Sequence, residues 1–324
     1  MNNIPIKLRP AYKDYLWGGT RLKDEFNKDS GKDIIAESWE CSTHPDGVSI
    51  VGSGECSGVL LSDYLSKHPG MLGKRYEDQN DIPILVKFID AKSNLSIQVH
   101  PDDEYAFRHE NGQRGKTEMW YVLEAENKSG IYYGMKTDND IEKISEALSL
   151  GTIEKYLNRF EVKKDDVFFI NPGTVHAIGA GCLVVEIQES SNLTYRMFDY
   201  NRKDLRGNER ELHLNKAVEV ADCKASREPR QPLRVLKYEP GVARELLGRC
   251  RYFEVHRMLL NTDTGTNYRA DELSFRILLC IEGDGCIKFG NEIMNYSKGD
   301  CLFVPADSIE MKIEGQAEFL DVKG

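Results

Sequence analysis

Two stretches of this 324-residue chain follow one pattern: "DDVFFINPGTVHAI" and "GDCLFVPADSIEMKI". Ten residues separate Asp166 from His176 in the first, and ten separate Asp300 from Glu310 in the second. In each, a short apolar run follows an acidic turn and is stopped by a proline, so the run is too short for a helix and reads as a strand. A repeated set of short strands cannot bury its faces one strand at a time. Two related sets therefore predict a mainly β chain of jelly-roll modules, which manage their edges by pairing sheets. In the second copy Glu310 stands where the first has His176, so the second module is expected to hold no metal.

The length exceeds the usual size of one domain. Short β-prone pieces separated by turn residues fill the first 60 positions, as in "AESWECSTHPDGVSIVGSG", and "LSDYLSKHPGML" adds a helical piece. Between Asp138 and Phe160 the period turns helical: Asp138 reads as an N-cap, Ile141, Ile144 and Leu148 share one face, and Thr152 starts a second short helix. "HLNKAVEVADC" suggests one more. The charged, proline-bearing "KASREPRQPLR" is the expected linker. The expected division is a catalytic jelly-roll domain over 1–232, with its helical insertion near 138–160, and a smaller β domain over 233–324.

A formal charge of −10 argues against nucleic acid or an anionic membrane as partner, and requires a local basic pocket if the ligand is an anion. Eight cysteines without a CxxC pair, and no leader before them, fit a reduced, cytoplasmic protein. The longest apolar runs, such as "FRILLCI", fall far short of the roughly 18 residues a membrane span needs.

In "SIQVHPDDEYA", Ser96, Gln98 and His100 fall on one face of a strand, while Ile97 and Val99 fall on the other. Buried polar groups need partners. Glu118 and Lys116, two apart in "GQRGKTEMWYVL", would share a pocket. His176 follows a Pro-Gly turn in "INPGTVHAIG", where a side chain at a strand start can enter a barrel mouth. Two imidazoles and a carboxylate, with Gln98 as a further oxygen donor, describe either a zinc or a non-haem iron centre. In "NLTYRMFDYNR", Arg196 and Arg202 align on one face if the strand stays regular. Trp17 in "YLWGGTRL", taken by itself, reads as a packing residue.

Together with "AESWECSTHPDG", these stretches occur in an order that resembles the type I mannose-6-phosphate isomerases, the cupin-fold phosphomannose isomerases, in their shorter bacterial form. The resemblance spans nearly the whole chain. It implies a cupin catalytic domain that interconverts mannose 6-phosphate and fructose 6-phosphate through an enediolate of the open-chain sugar. It further implies one zinc per chain, other divalent metals being possible, held by Gln98, His100, Glu118 and His176. Arg196 becomes the active-site arginine, Ser96 and Lys116 the phosphate contacts, and Trp17 a substrate neighbour. The partner is then a phosphorylated hexose, and the protein a monomer or small homo-oligomer. Asn192 stands where some relatives carry a carboxylate four residues before the arginine. The base is therefore left open among Glu189, Asp199, a ligand histidine and a hydroxide on the metal. Two other readings of the same residues are an iron-dependent cupin dioxygenase and a sugar-phosphate-binding protein without turnover.

Overall fold

The strand Ile84–Ala91 is buried along its whole length, and its two faces serve different cores. Ile84, Val86 and Phe88 enter one core, and Ile89 and Ala91 enter another. The strand Glu118–Ala125 divides in the same way: Met119, Tyr121 and Leu123 go with the first core, and Trp120 and Val122 with the second. Period-two alternation in these mostly apolar runs thus produces a sheet covered on both sides. These are features of a computed structural model, which describes residues 3–204, 206–227, 229–230 and 235–324.

The covered sheet has six strands in the order Val167–Ile170, Glu118–Ala125, Cys182–Glu189, Ile84–Ala91, Glu37–Cys41 and Ala11–Lys13, each antiparallel to its neighbour. One face packs on a five-stranded sheet, ordered Tyr195–Phe198, Ile97–Val99, His176–Ile178, Gly130–Met135 and Leu157–Glu161. The other face packs on a nine-stranded sheet built from the C-terminal strands together with Ile6–Arg9 and Ile50–Val51. That large sheet encloses a core of its own, in which Met258, Leu278, Phe289 and Phe319 meet. The fold is mainly β, with open sheets stacked in layers, as the repeated short strands predict.

The helical insertion covers the outer face of the five-stranded sheet. Ile144, Ala147 and Leu148 of the helix Ile141–Ser149 pack with Ile97, Val99 and Met197. The helix begins two residues later than expected, with Asp140 as its N-cap. The Asp138 carboxylate is engaged elsewhere, accepting from the Ala225 amide at 2.8 Å. Thr152 does precede a short 3-10 turn, Ile153–Tyr156. The helix suggested by "HLNKAVEVADC" is Leu214–Val220. In the expected linker, Ala225 bridges to Met135 and Arg230 to Phe168. Its residues 228 and 231–234, and with them the cut at 232/233, lie outside the described residues.

Candidate active site

Three adjacent strands set the site. Gln98, at the centre of Ile97–Val99, stands opposite His176 on one side and Arg196 on the other. Because Ile97 and Val99 are turned into the helical layer, Ser96, Gln98 and His100 face the opposite way, toward the six-stranded sheet. From that sheet comes Glu118, the first residue of its strand. The ligand-capable atoms of His100, Glu118 and His176 lie within 4.8 Å of one another, and all three residues are buried. His100 Nε2 is 3.1 Å from Glu118 Oε1, and His176 Nε2 is 3.7 Å from Glu118 Oε2.

The donor chemistry fits a divalent metal. Neither carboxylate oxygen of Glu118 receives an aligned hydrogen bond, although both are buried, and the Lys116 ammonium lies against Oε1 alone, which leaves Oε2 in a costly position unless a further cation is bound. His176 Nδ1 lies 2.8 Å from the Thr174 carbonyl and must donate to it. Its Nε2 lone pair is thereby aimed at Glu118 and at the Gln98 amide, 3.4 Å away. Exchange of the two ends of that amide would present an oxygen instead. Burial, with the Lys116 ammonium next, pushes His100 down to about 3. Burial also lowers His176, so both imidazoles are neutral, as metal ligands must be. Burial alone would raise Glu118, but Lys116 and the two histidines outweigh it and hold the carboxyl well below its usual range. Lys116 Nζ contacts Glu118 Oε1 directly and stands 3.4 Å from His100 Nε2.

The cluster borders a cavity of about 420 Å³ whose lining includes Trp17, Ser96, Gln98, Lys116 and Arg196. Trp17, Ser96, Gln98, Lys116 and Arg196 thus line this cavity, and His100, Glu118 and His176 form the cluster beside it. Trp17 serves two purposes, since it is 3% exposed and part of the inter-sheet core while also touching the cavity. Arg196 donates from Nη1 to the Glu211 carbonyl at 2.8 Å, and its buried Nε has no acceptor. Burial, and then Arg210 nearby, lowers its pKa.

Two lining groups, Lys87 and Glu186, carry no motif in the sequence, and Arg210 comes from the Arg-rich "RKDLRGNERE". Lys87, Glu186 and Arg210 all face the cavity. Lys87 donates to Glu186 Oε1 at 3.0 Å, and the other oxygen, Oε2, accepts from Trp120 Nε1 at 2.9 Å. Burial would lower Lys87, but Glu186 and Glu37 overcome it and raise its pKa. A lone lysine inside "ILVKFIDA" was the available signal: a charge in a strand buried on both faces must be paired.

Other candidates fall elsewhere. Arg202 does not align with Arg196, because a register shift follows Arg196 and left-handed Tyr200 and Asn201 turn the chain. It donates instead to the Asn94 carbonyl at 2.6 Å. Asp199 is clasped by Arg202 and Arg210 and does not line the cavity. Glu189 is turned away, accepting from the Thr117 amide at 2.8 Å on the far side of the sheet edge. Asn192 does reach the cavity wall, with its amide donating to Asp46 at 2.7 Å.

Residues 6–129 match the family model described as phosphomannose isomerase type I, catalytic domain. Residues 244–323 match that of the mannose-6-phosphate isomerase cupin domain. Mannose-6-phosphate isomerase ManA of Bacillus subtilis is 36% identical, over 98% of each chain. The chain belongs to the type I phosphomannose isomerase family. A second member of that family, mannose-6-phosphate isomerase of Streptococcus mutans, is 33% identical over 98% of this chain and 97% of its own. The crystal structure of the Bacillus subtilis mannose 6-phosphate isomerase superposes with a TM-score of 0.90 at 33% identity, covering 98% of this chain and 99% of that one. A mannose 6-phosphate isomerase bound with zinc and yttrium shares the fold at a TM-score of 0.79 and 17% identity, covering 99% of both chains. The phosphomannose isomerase catalytic-domain match ends before His176 and Arg196, which the antiparallel pairing with Gln98 brings back to it.

Proposed function

We propose that this chain interconverts mannose 6-phosphate and fructose 6-phosphate with one zinc ion held by Gln98, His100, Glu118 and His176. The observation that carries this reading is the buried carboxylate of Glu118, with no aligned hydrogen bond on either oxygen, between two neutral imidazoles and beside Lys116 at the wall of a cation-lined cavity. A dioxygenase would have no use for Lys116 and Arg196 beside the cluster, and family membership favours the isomerase over a turnover-free binder.

The reaction moves a proton from C2 to C1 through an enediolate, so catalysis requires positive charge where the oxygen becomes anionic. Bound to these donors, zinc would supply Lewis-acid stabilisation of that oxygen. Arg196 adds a fixed guanidinium on the same wall, oriented by the Glu211 carbonyl and by its register with Gln98. Ser96 and Lys116 hold the phosphate, the lysine as a point charge. Trp17 lines the same cavity as a substrate neighbour. Of the carboxylates considered as base, neither Glu189 nor Asp199 reaches the cavity.

We also propose the division into 1–232 and 233–324, supported by a cupin-domain match that lies wholly within the second part. A cytoplasmic setting is supported by eight unpaired cysteines. Among the described residues no helix is long and apolar enough to cross a membrane.

The test is a coupled assay of fructose 6-phosphate conversion before chelation, after it, and with zinc restored, repeated with Arg196→Ala. Activity should vanish with chelator and return with zinc. The variant should keep its zinc and lose roughly 10²- to 10³-fold in kcat. A folded, zinc-replete protein without activity on this substrate would overturn the reading.

A further inference from the structure

Lys116 carries a charge on a long, flexible stem, so its usefulness depends on how firmly its backbone is held. The hold is unusual. The Gly115 amide donates to Asp103 Oδ1 at 3.0 Å, the Lys116 amide to the Pro101 carbonyl at 3.0 Å, and the Thr117 amide to Glu189 Oε1 at 2.8 Å. The Thr117 carbonyl in turn accepts from the Glu189 amide at 3.1 Å. Three consecutive amides, just before the strand begins, are therefore tied down, and carboxyl groups hold the two that flank the lysine. Glycine at 115 is required for this approach, since a Cβ there would lie 2.4 Å from the Asp102 carbonyl carbon.

The two carboxyl groups are also close enough to perturb each other electrostatically. Burial, then Asp103, pushes Glu189 up to about 7. The partner stays ionised. Asp103 Oδ2 accepts a further bond, 2.6 Å long, from the Tyr252 hydroxyl. Tyr252 belongs to the loop between Val242–Arg249 and Glu254–Tyr268, two strands of the large sheet. None of the three residues touches the substrate cavity; they line a separate cleft behind it.

We infer that Asp103, Glu189 and Tyr252 are positioning residues that hold Lys116 in place from behind, and that through Tyr252 the C-terminal strands help to shape the active site. The inference rests on the phosphate-binding role proposed for Lys116. It assigns the C-terminal part a contribution to substrate binding in addition to its share of the core.

The experiment compares Glu189→Ala, Glu189→Gln and Tyr252→Phe in the full, zinc-loaded chain. It measures KM and kcat for fructose 6-phosphate, zinc content, and amide hydrogen exchange of a peptide spanning residues 114–118. Glu189→Ala should speed exchange and raise KM roughly 5- to 10-fold, with kcat within about twofold and zinc unchanged. Glu189→Gln keeps an acceptor for the Thr117 amide, so it should restore both readouts. Tyr252→Phe, the mildest change, should move both the same way by a smaller factor. Unchanged exchange and KM in Glu189→Ala, or a glutamine no better than alanine, would overturn the inference. Unchanged values in Tyr252→Phe would remove the C-terminal strands from it. If the unaltered protein showed no isomerase activity, the functional reading would fall, while the exchange data alone would still decide whether these residues hold the segment.

Discussion

Glu189 shows what burial does to a single carboxyl group. In a water-exposed glutamate the charged form is favoured at neutral pH, but here burial and the neighbouring Asp103 push the pKa up to about 7. The groups around it are Asp103, the Tyr252 hydroxyl, Arg251 and Cys250. The folded state therefore binds a proton that the unfolded chain releases near the ordinary glutamate value. The stabilisation is complete below that value and is lost as pH rises through about 7. Urea unfolding of the wild type and Glu189→Gln between pH 4.5 and 8 should show the wild type losing roughly 1–3 kcal/mol relative to the variant across this window. Parallel pH profiles would count against a proton retained by Glu189 in the folded state. The ligand residues were more legible than this pair. Ser96, Gln98 and His100 announce themselves by polar spacing in an apolar strand, whereas nothing in the sequence near Asp103 points to Glu189.

At the scale of elements, one strand separates two environments. Ile97 and Val99 anchor Ile97–Val99 to the helical layer, and that anchoring turns Gln98 and His100 toward Glu118 and His176. The helix Ile141–Ser149 is thus part of the site's foundation, although it lies on the outside of the sheet. Ile144 is fully buried there. Ile144→Ala should cost about 2–4 kcal/mol in chemical denaturation, while the folded fraction keeps its zinc and a near-normal KM. A loss of zinc at unchanged stability would contradict this division of labour. The helix itself was readable from the spacing of Ile141, Ile144 and Leu148. Its cap was not, because Asp138 and Asp140 are equivalent by type and only the contact with Ala225 draws Asp138 away. The alignment of Arg196 with Arg202 failed for a similar reason: a turn of left-handed residues ends the strand at Phe198.

The six-stranded sheet is a shared wall at the scale of the whole molecule. Its far face is closed by Phe253, Val255, Ile277, Phe303 and Val322 from the C-terminal strands, and the N-terminal strand Ile6–Arg9 pairs with Cys301–Val304. Removing residues 233–324 would strand one edge partner and expose a large apolar face. A chain of residues 1–232 should accumulate as aggregate or unfold without a cooperative transition, as size-exclusion chromatography and thermal scans would show. A stable, zinc-binding, inactive fragment would mean that the C-terminal part acts in catalysis alone.

Local pattern by itself determined the short strands, the helical insertion, the repeat and the faces on which Ser96, Gln98, His100, Lys116 and Glu118 lie, because alternation and turn residues act between near neighbours. Resemblance to a family then supplied the ligand set. Only the tertiary structure decided that His176 and Arg196 stand opposite Gln98, that Lys87 and Glu186 share the cavity, and that Glu189 turns away from it. Those outcomes depend on register between strands far apart in the chain, and register is settled by packing across the sheets, which no local pattern encodes.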